Sequence, residues 1–146
     1  MRKLQSLVRE FALRRGIEPP GPDDQGVFEI GFDPDLRVRC FEWFENLHLV
    51  SRLAMPPDPP MQRREWFGRL MNYALHRMKR SRSTPGLSDD GSVTLFARSK
   101  LAGMTASDFE AQIEEHLNSV DSYRYVLGAA EPPAPLETLP HSIVRP

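Results

Sequence analysis

The sequence is poor in cysteine, in long apolar runs and in net charge. Its one cysteine, Cys40, excludes an internal disulfide and any metal site built from several cysteines, as is usual in a reducing cytoplasm. No run approaches the ~20 apolar residues of a membrane span, and the N-terminus carries charges throughout instead of the apolar stretch of a secretory signal. The net charge of -1 gives no overall attraction to nucleic acid or acidic lipid. We therefore predict a cytoplasmic protein.

Catalytic and cofactor motifs are also missing. The sequence has no G-x-S-x-G elbow and neither of the common glycine-rich loops that hold phosphates. No two histidines have the i, i+4 spacing of a helical metal site, and the turns DPD and DDG lack the further oxygen ligands of a calcium loop. Cys40 is predicted on the apolar side of a strand, where a thiol is usually inert. We predict no catalytic residue, metal ligand or cofactor; only a Ser/His/Asp triad assembled in space stays open.

Hydrophobic periodicity predicts a small α+β domain instead. With 146 residues, 40% of them apolar, the chain is sized for one core. The predicted order is a helix between Leu4 and Gly16, three antiparallel strands between 28 and 53, a helix from about Met61 to Lys79, a hairpin turning at Asp90-Gly91, and a helix from Thr105 to about Gly128. We expect a single α-β-β-β-α-β-β-α domain at 1–130, with a twisted antiparallel sheet flanked by helices. A proline-rich tail at 131–146 is expected to be disordered or draped over the surface.

The segment RVRCFEWFENLHLVSRL, at 37–53, has apolar side chains on both faces of its two strands. Because successive side chains of a strand point to opposite faces, Phe41, Trp43 and Val50 oppose a set that we assign to the core. Phe96 has the matching position on the last strand, and the core set is Val38, Cys40, Leu47, Leu49 and Leu95. Three helices would have to cover two sheet faces if both were buried in one chain, which is tight for a domain of this size. We therefore predict that a partner covers the second face.

The second helix has an apolar stripe that is wide for a helix packed on one side only. Trp66 and Tyr73 widen it further. We predict that this stripe, with the neighbouring part of the sheet, forms the interface of a homodimer. Its members are Phe67, Leu70, Met71, Ala74, Leu75 and Met78.

The run HRMKRSR, at 76–82, is the one basic patch that could contact phosphate. Lys and Arg at the end of a helix also complement its dipole, which is the interpretation we favour. No aromatic residues alternate with these cations, so a stacking platform for single strands is unsupported. One alternative is a nucleic-acid-binding or regulatory adaptor that uses Arg77, Lys79, Arg80 and Arg82. A small enzyme with an unrecognised site is the other.

The order and spacing of these elements resemble the class I chaperones of bacterial type III secretion, the Tir chaperone family. The best local match is LSDDGSVTLFARSKLAGMTASDFEAQIEEHL followed by SYRYVL. It is similar to the family's final hairpin, its helix start at Phe109 and its closing helix, which ends at Tyr123, Arg124 and Leu127. LVREFALRRGI resembles the family's first helix. The chain departs from the usual acidic members in being nearly neutral and in having an arginine-rich second helix.

The resemblance implies a small, non-enzymatic homodimer in the bacterial cytoplasm. It would hold the N-terminal chaperone-binding segment of a secreted effector in an extended state. The implied partners are the effector and a second copy, with the secretion ATPase as a further candidate, and without nucleic acid or membrane.

We place this client on the second sheet face and on exposed parts of the first helix. An extended segment can pair with a sheet edge and place alternate side chains in surface pockets. Arginines on the same face could bond client carbonyls or carboxylates while their stems cover apolar surface. The predicted contacts are Phe41, Trp43, Val50 and Phe96, together with Arg37, Arg39 and Arg52.

Overall fold

The computed structural model describes residues 2–128, and the predicted order of helices and strands is confirmed there. The predicted tail at 131–146 and the domain boundary at 130 lie outside the described residues. The helices are α1 at Lys3–Arg14, α2 at Pro60–Arg77 and α3 at Ala106–Val126. The strands are β1 at Phe28–Asp33, β2 at Leu36–Trp43, β3 at Asn46–Ala54, β4 at Ser83–Leu87 and β5 at Val93–Lys100.

The strands form one antiparallel sheet in the order β1-β2-β3-β5-β4, so β3 is central and β1 and β4 are its edges. One face of this sheet is the core face. Val38, Cys40 and Leu95 are completely buried on it, and Leu49 is 1% exposed. The assignment of faces made from the alternation of apolar residues is therefore confirmed.

Helices α1 and α3 cover the core face. The Phe11 ring of α1 meets Phe32 of β1 and Phe109 of α3 edge-on, with ring centroids 6.2 and 5.8 Å away. Further along α3, the buried His116 places its Nε2 2.8 Å from the Ser51 hydroxyl of β3. A helix-to-sheet core is thus complete on this side of the molecule.

Helix α2 packs beside α3 and corrects the predicted dimer stripe. Trp66 and Leu70 are buried, and Tyr73 meets Tyr123 of α3 edge-on at 4.8 Å. Leu70, at 3% exposure, belongs to the core and cannot line an exposed interface, and Ala74 packs partly against the same core. The reason is helical geometry: at roughly 100° per residue, the six predicted positions cover an arc of about 140° around the helix. The edge of this arc that carries Leu70 turns toward the core, and the opposite edge faces outward. The outward face of α2 carries the partly buried Phe67 with the exposed Met71, Leu75 and Met78.

Candidate functional site

The candidate site is the second face of the sheet, formed by the side chains that point away from the core face. The strand register places these side chains in rows across the sheet. The longest row is Glu29, Arg39, Val50, Phe96 and Thr84; beside it lie the rows Phe41, His48 and Arg98, and then Trp43, Asn46 and Lys100. A bound segment would therefore meet aromatic, aliphatic and cationic groups together.

The centre of the second face is apolar and partly exposed. The Phe41 ring stacks on His48 of β3, with centroids 5.1 Å apart and planes 5° apart. Phe96 is 41% exposed, and its ring lies against Gly86 of β4, where an added Cβ would be 2.9 Å from Phe96 Cε2. Glycine at this position therefore lets the Phe96 ring pack on the edge-strand backbone.

The turn between β2 and β3 extends this apolar surface. Trp43 and Phe44 are 61% and 80% exposed and contact each other edge-on at 5.0 Å. Phe44 and Glu45 have φ values of 49° and 65°, so the connection is a two-residue type I′ turn without the Asn-Gly that such turns favour. A left-handed φ costs a residue with a side chain about 1–2 kcal/mol. A large apolar residue kept in this backbone indicates a use other than stability.

At the opposite end of the second face, charged side chains line an open groove of about 1160 Å³. Arg37 Nη1 donates to Glu29 Oε1 at 2.7 Å, Arg39 lies 3.9 Å from Asp23, and Arg52 lines the same groove. The carboxylates in the groove lining are Glu29, Asp35, Asp89 and Asp90. Cations at this end of the face are thus largely matched by carboxylates.

The seven named side chains predicted to contact a client all lie on this second face. The first helix, whose exposed parts were predicted to join them, instead packs over the opposite core face, so it does not continue this surface. Arg37, Arg39 and Arg52 line the groove, Val50 and Phe96 lie at the centre, and Phe41 and Trp43 lie toward the turn. The structure adds Phe44, His48, Arg98 and Lys100 to the same surface. Continuing the alternation beyond Phe96 would have found Arg98 and Lys100. Binding of a client by these residues stays a prediction.

Comparison with known families covers most of the chain. A sequence model of the Tir chaperone protein (CesT) family matches residues 6–124. The chain belongs to the Tir chaperone protein (CesT) family. The resemblance drawn from element order and local motifs is thereby confirmed. No curated protein sequence matches the chain.

Solved structures share the fold of this Tir chaperone family member. The ExsC–ExsE complex contains a chain with 24% identity and a TM-score of 0.70, matched over 86% of this chain and 93% of that chain. The HopA1–SchA chaperone–effector complex gives 17% identity and a TM-score of 0.68, over 84% and 94%. The Yersinia pestis type III secretion chaperone SycH, solved with a fragment of YscM2, gives 14% and 0.61, over 82% and 98%. At these identities the likeness concerns the fold.

The closing motif of this Tir chaperone family member holds the third helix against the sheet. Arg124 Nε donates to the Leu53 carbonyl at 3.0 Å, and Nη2 donates to the carbonyls of Asp35 and Arg52 at 2.7 and 2.8 Å. The neighbouring Tyr123 is buried in the core. A planar guanidinium can serve several carbonyls at once, which a lysine cannot do with the same geometry. The aromatic-Arg-x-x-Leu ending therefore has a structural role.

Other chemistry has little support within residues 2–128. Burial raises the pKa of the Cys40 thiol to about 12, so Cys40 is no nucleophile at neutral pH. In this part of the chain no three His, Cys, Asp or Glu side chains gather into a metal site, and no helix is long and apolar enough to cross a bilayer. Arg77 turns inward and donates to Ser119 Oγ at 3.0 Å. The basic run proposed for the nucleic-acid alternative therefore loses one of its cations.

Proposed function

We propose that this Tir chaperone family member is a type III secretion chaperone. It binds the N-terminal chaperone-binding segment of one or more secreted effectors in extended form and keeps that segment soluble and secretion-competent. It does so in the bacterial cytoplasm, as a homodimer and without catalysis. The observation that carries the proposal is the second face, where Phe41, Val50, Phe96 and Trp43 are partly or largely exposed opposite a complete core. A chain of the same fold in a chaperone–effector complex supports it.

An extended segment suits this surface. Side chains on one side of an extended chain repeat about every 6.6 Å, and Phe41 and Trp43 have the same spacing because they lie two residues apart on β2. Each large apolar side chain that becomes buried contributes about 1.5–3 kcal/mol, so a few anchors offset the cost of ordering the segment. The edge strands β1 and β4 also offer backbone groups for strand addition.

Removing two aromatic anchors tests the client site. We expect Trp43→Ala with Phe96→Ala to weaken binding well over tenfold, because truncating a buried anchor commonly costs ~2 kcal/mol or more. Both side chains are exposed in the free protein, so the melting temperature should change little. The measurement is calorimetric titration with the N-terminal fragment of an effector that copurifies from the native cell. Tyr125→Ala removes an aromatic ring of similar exposure from α3 and is the matched control. Unchanged affinity in a folded double variant would contradict the proposed site.

The outward face of α2 is the proposed dimer interface. It carries Phe67, Met71, Leu75 and Met78, without the buried Leu70. A cluster of large, solvent-exposed apolar side chains on one helix face is typical of a protein–protein interface. We expect Met71→Asp to produce a folded monomer in sedimentation velocity at tens of micromolar, a range far above specific dissociation constants. Asn72→Asp adds the same charge at an exposed position turned roughly 100° away and should leave the dimer intact. A monomeric wild-type protein would refute the interface.

A further inference from the structure

The half of the second face next to the β2–β3 turn combines aromatic and cationic side chains. This aromatic–basic half consists of Phe41, Trp43, His48, Arg98 and Lys100. Across the strands, Phe41 of β2 pairs with His48 of β3, which pairs with Arg98 of β5. In the next row, Trp43 pairs with Asn46, which pairs with Lys100. Phe41 and Trp43 thus form an aromatic column along β2, and Arg98 and Lys100 form a cationic column along β5. Neighbouring strands lie about 4.8 Å apart and β3 lies between β2 and β5, so the two columns are parallel and about 10 Å apart.

The cationic column is not neutralised by the rest of the described chain. Within residues 2–128, the side chains of Arg98 and Lys100 form neither a hydrogen bond nor an ion pair, unlike those of Arg37 and Arg39 in the groove. Neither of the two rows contains a carboxylate. Of the acidic residues on the β2–β3 hairpin, Glu42 lies on the other face of β2 and Glu45 lies in the turn. A bound partner can therefore supply the missing negative charge.

We propose that the client segment bound here is acidic as well as apolar. Resting on the proposed function, this inference places client carboxylates against Arg98 and Lys100 and large apolar side chains against Phe41 and Trp43. Arg98 and Lys100 lie two residues apart on one face of β5, a spacing of about 6.6 Å. Side chains on one side of an extended client repeat at the same spacing. Side chains at the intervening positions point the other way, toward the aromatic column. The client sequence therefore alternates acidic and apolar residues, and charge-assisted hydrogen bonds fix its register.

Single-stranded nucleic acid fits the same surface less well. Base stacking along a strand needs a series of free ring faces, but His48 already stacks on one face of Phe41, which leaves Trp43 as the most exposed ring of this half. Two cations on one strand are also a short track for a phosphate backbone, in a chain with a net charge of -1. A peptide needs only two carboxylates in register with Arg98 and Lys100.

Three dye-labelled peptides of equal length test the inference on the full chain by fluorescence anisotropy. Each has valine at alternate positions, with glutamate, glutamine or lysine between. We expect the glutamate peptide to bind about tenfold tighter than the glutamine peptide at low salt, the lysine peptide to bind weakest, and added salt to narrow the difference. Arg98→Glu with Lys100→Glu should reverse the order of the three. Arg69→Glu with Lys79→Glu makes the same charge change at exposed positions outside the sheet and should preserve the order.

Equal affinity for the glutamate and glutamine peptides, or an acidic preference that persists in Arg98→Glu with Lys100→Glu, would overturn the inference and leave the second face as a client site. Failure of all three peptides to bind at tens of micromolar would also overturn it. Tighter binding of a labelled oligothymidylate than of the glutamate peptide at physiological salt would overturn it in favour of nucleic acid. The proposed function is decided separately, by the effector titration of Trp43→Ala with Phe96→Ala.

Discussion

The turn between β2 and β3 allows a substitution that should stabilise the fold. Glu45 has a φ of 65° although it carries a side chain. Glu45→Gly keeps the same backbone without the steric penalty, because glycine adopts positive φ as readily as negative φ. The contacts that hold this turn use backbone carbonyls: Leu101 N–H donates to Glu45 O at 3.2 Å, and Asn46 Nδ2 donates to Phe44 O at 3.0 Å. Removing the Glu45 side chain leaves both hydrogen bonds in place.

The expected gain is about 1 kcal/mol. The left-handed backbone costs a non-glycine residue about 1–2 kcal/mol, and the greater freedom of glycine in the unfolded chain returns part of that gain. Glu45 is exposed, so little packing is lost. For a domain of this size, 1 kcal/mol raises the melting temperature by roughly 4 °C.

Thermal and urea unfolding followed by circular dichroism measure the effect. Glu42→Gly is a matched control, since Glu42 is an exposed glutamate of the same hairpin that lacks a positive φ. Glycine at that strand position should lower stability by about 0.5–1 kcal/mol, the opposite sign. If Glu45→Gly is destabilising, or changes stability as Glu42→Gly does, the turn is not strained, and its backbone no longer indicates a binding role for Phe44.

Two further predictions concern the core and the second face. Burial lowers the pKa of His116 from 6.5 to about 4, so the unfolded chain binds more protons between these values. The free energy of unfolding should therefore fall by roughly 3 kcal/mol as the pH drops from about 6.5 to 4. His116→Gln can still form a hydrogen bond with Ser51 but does not titrate, so its free energy of unfolding, measured with urea, should depend less on pH in this range. The same pH dependence in the variant and the wild type would contradict this. Gly86→Ala should displace the Phe96 ring and weaken effector binding severalfold in titration. Gly31→Ala is the control, because a Cβ at Gly31 meets open space and should leave the affinity unchanged. Equal affinities of the two variants for the effector would contradict this.

Local sequence signals predicted most of the fold because short-range physics determines these elements. Thr105 and Asp108 form the predicted N-cap of α3 as a reciprocal capping box, with hydrogen bonds of 3.1 and 3.0 Å. Gly91 has the positive φ expected of the β4–β5 turn. Alternation assigned the sheet faces correctly, since a one-residue error would move every side chain to the other face.

The helix interface and the turn tip could not be predicted in the same way. The stripe on α2 was drawn too wide, because composition alone does not reveal that α3 lies beside the helix and takes Leu70 into the core. Phe44 was not among the predicted contacts because a phenylalanine before a glutamate carries no type I′ signal. Its exposure depends on the register that pairs Trp43 with Asn46. Both cases need tertiary or pairing information that no single segment contains.

Although the net charge of the chain is near zero, the two ends of its second face differ in how far their cations are paired with carboxylates. Arginines of the groove end meet carboxylates, as in the 2.7 Å pair of Arg37 and Glu29, whereas Arg98 and Lys100 near the turn have no such partner within residues 2–128. Between them lies an apolar centre around Val50 and Phe96, and apolar burial is not directional, so it accepts many side chains of similar size. Charged contacts, by contrast, penalise a partner with the wrong sign. The apolar centre should therefore supply affinity for any extended segment, and the cationic column should decide which segment is bound.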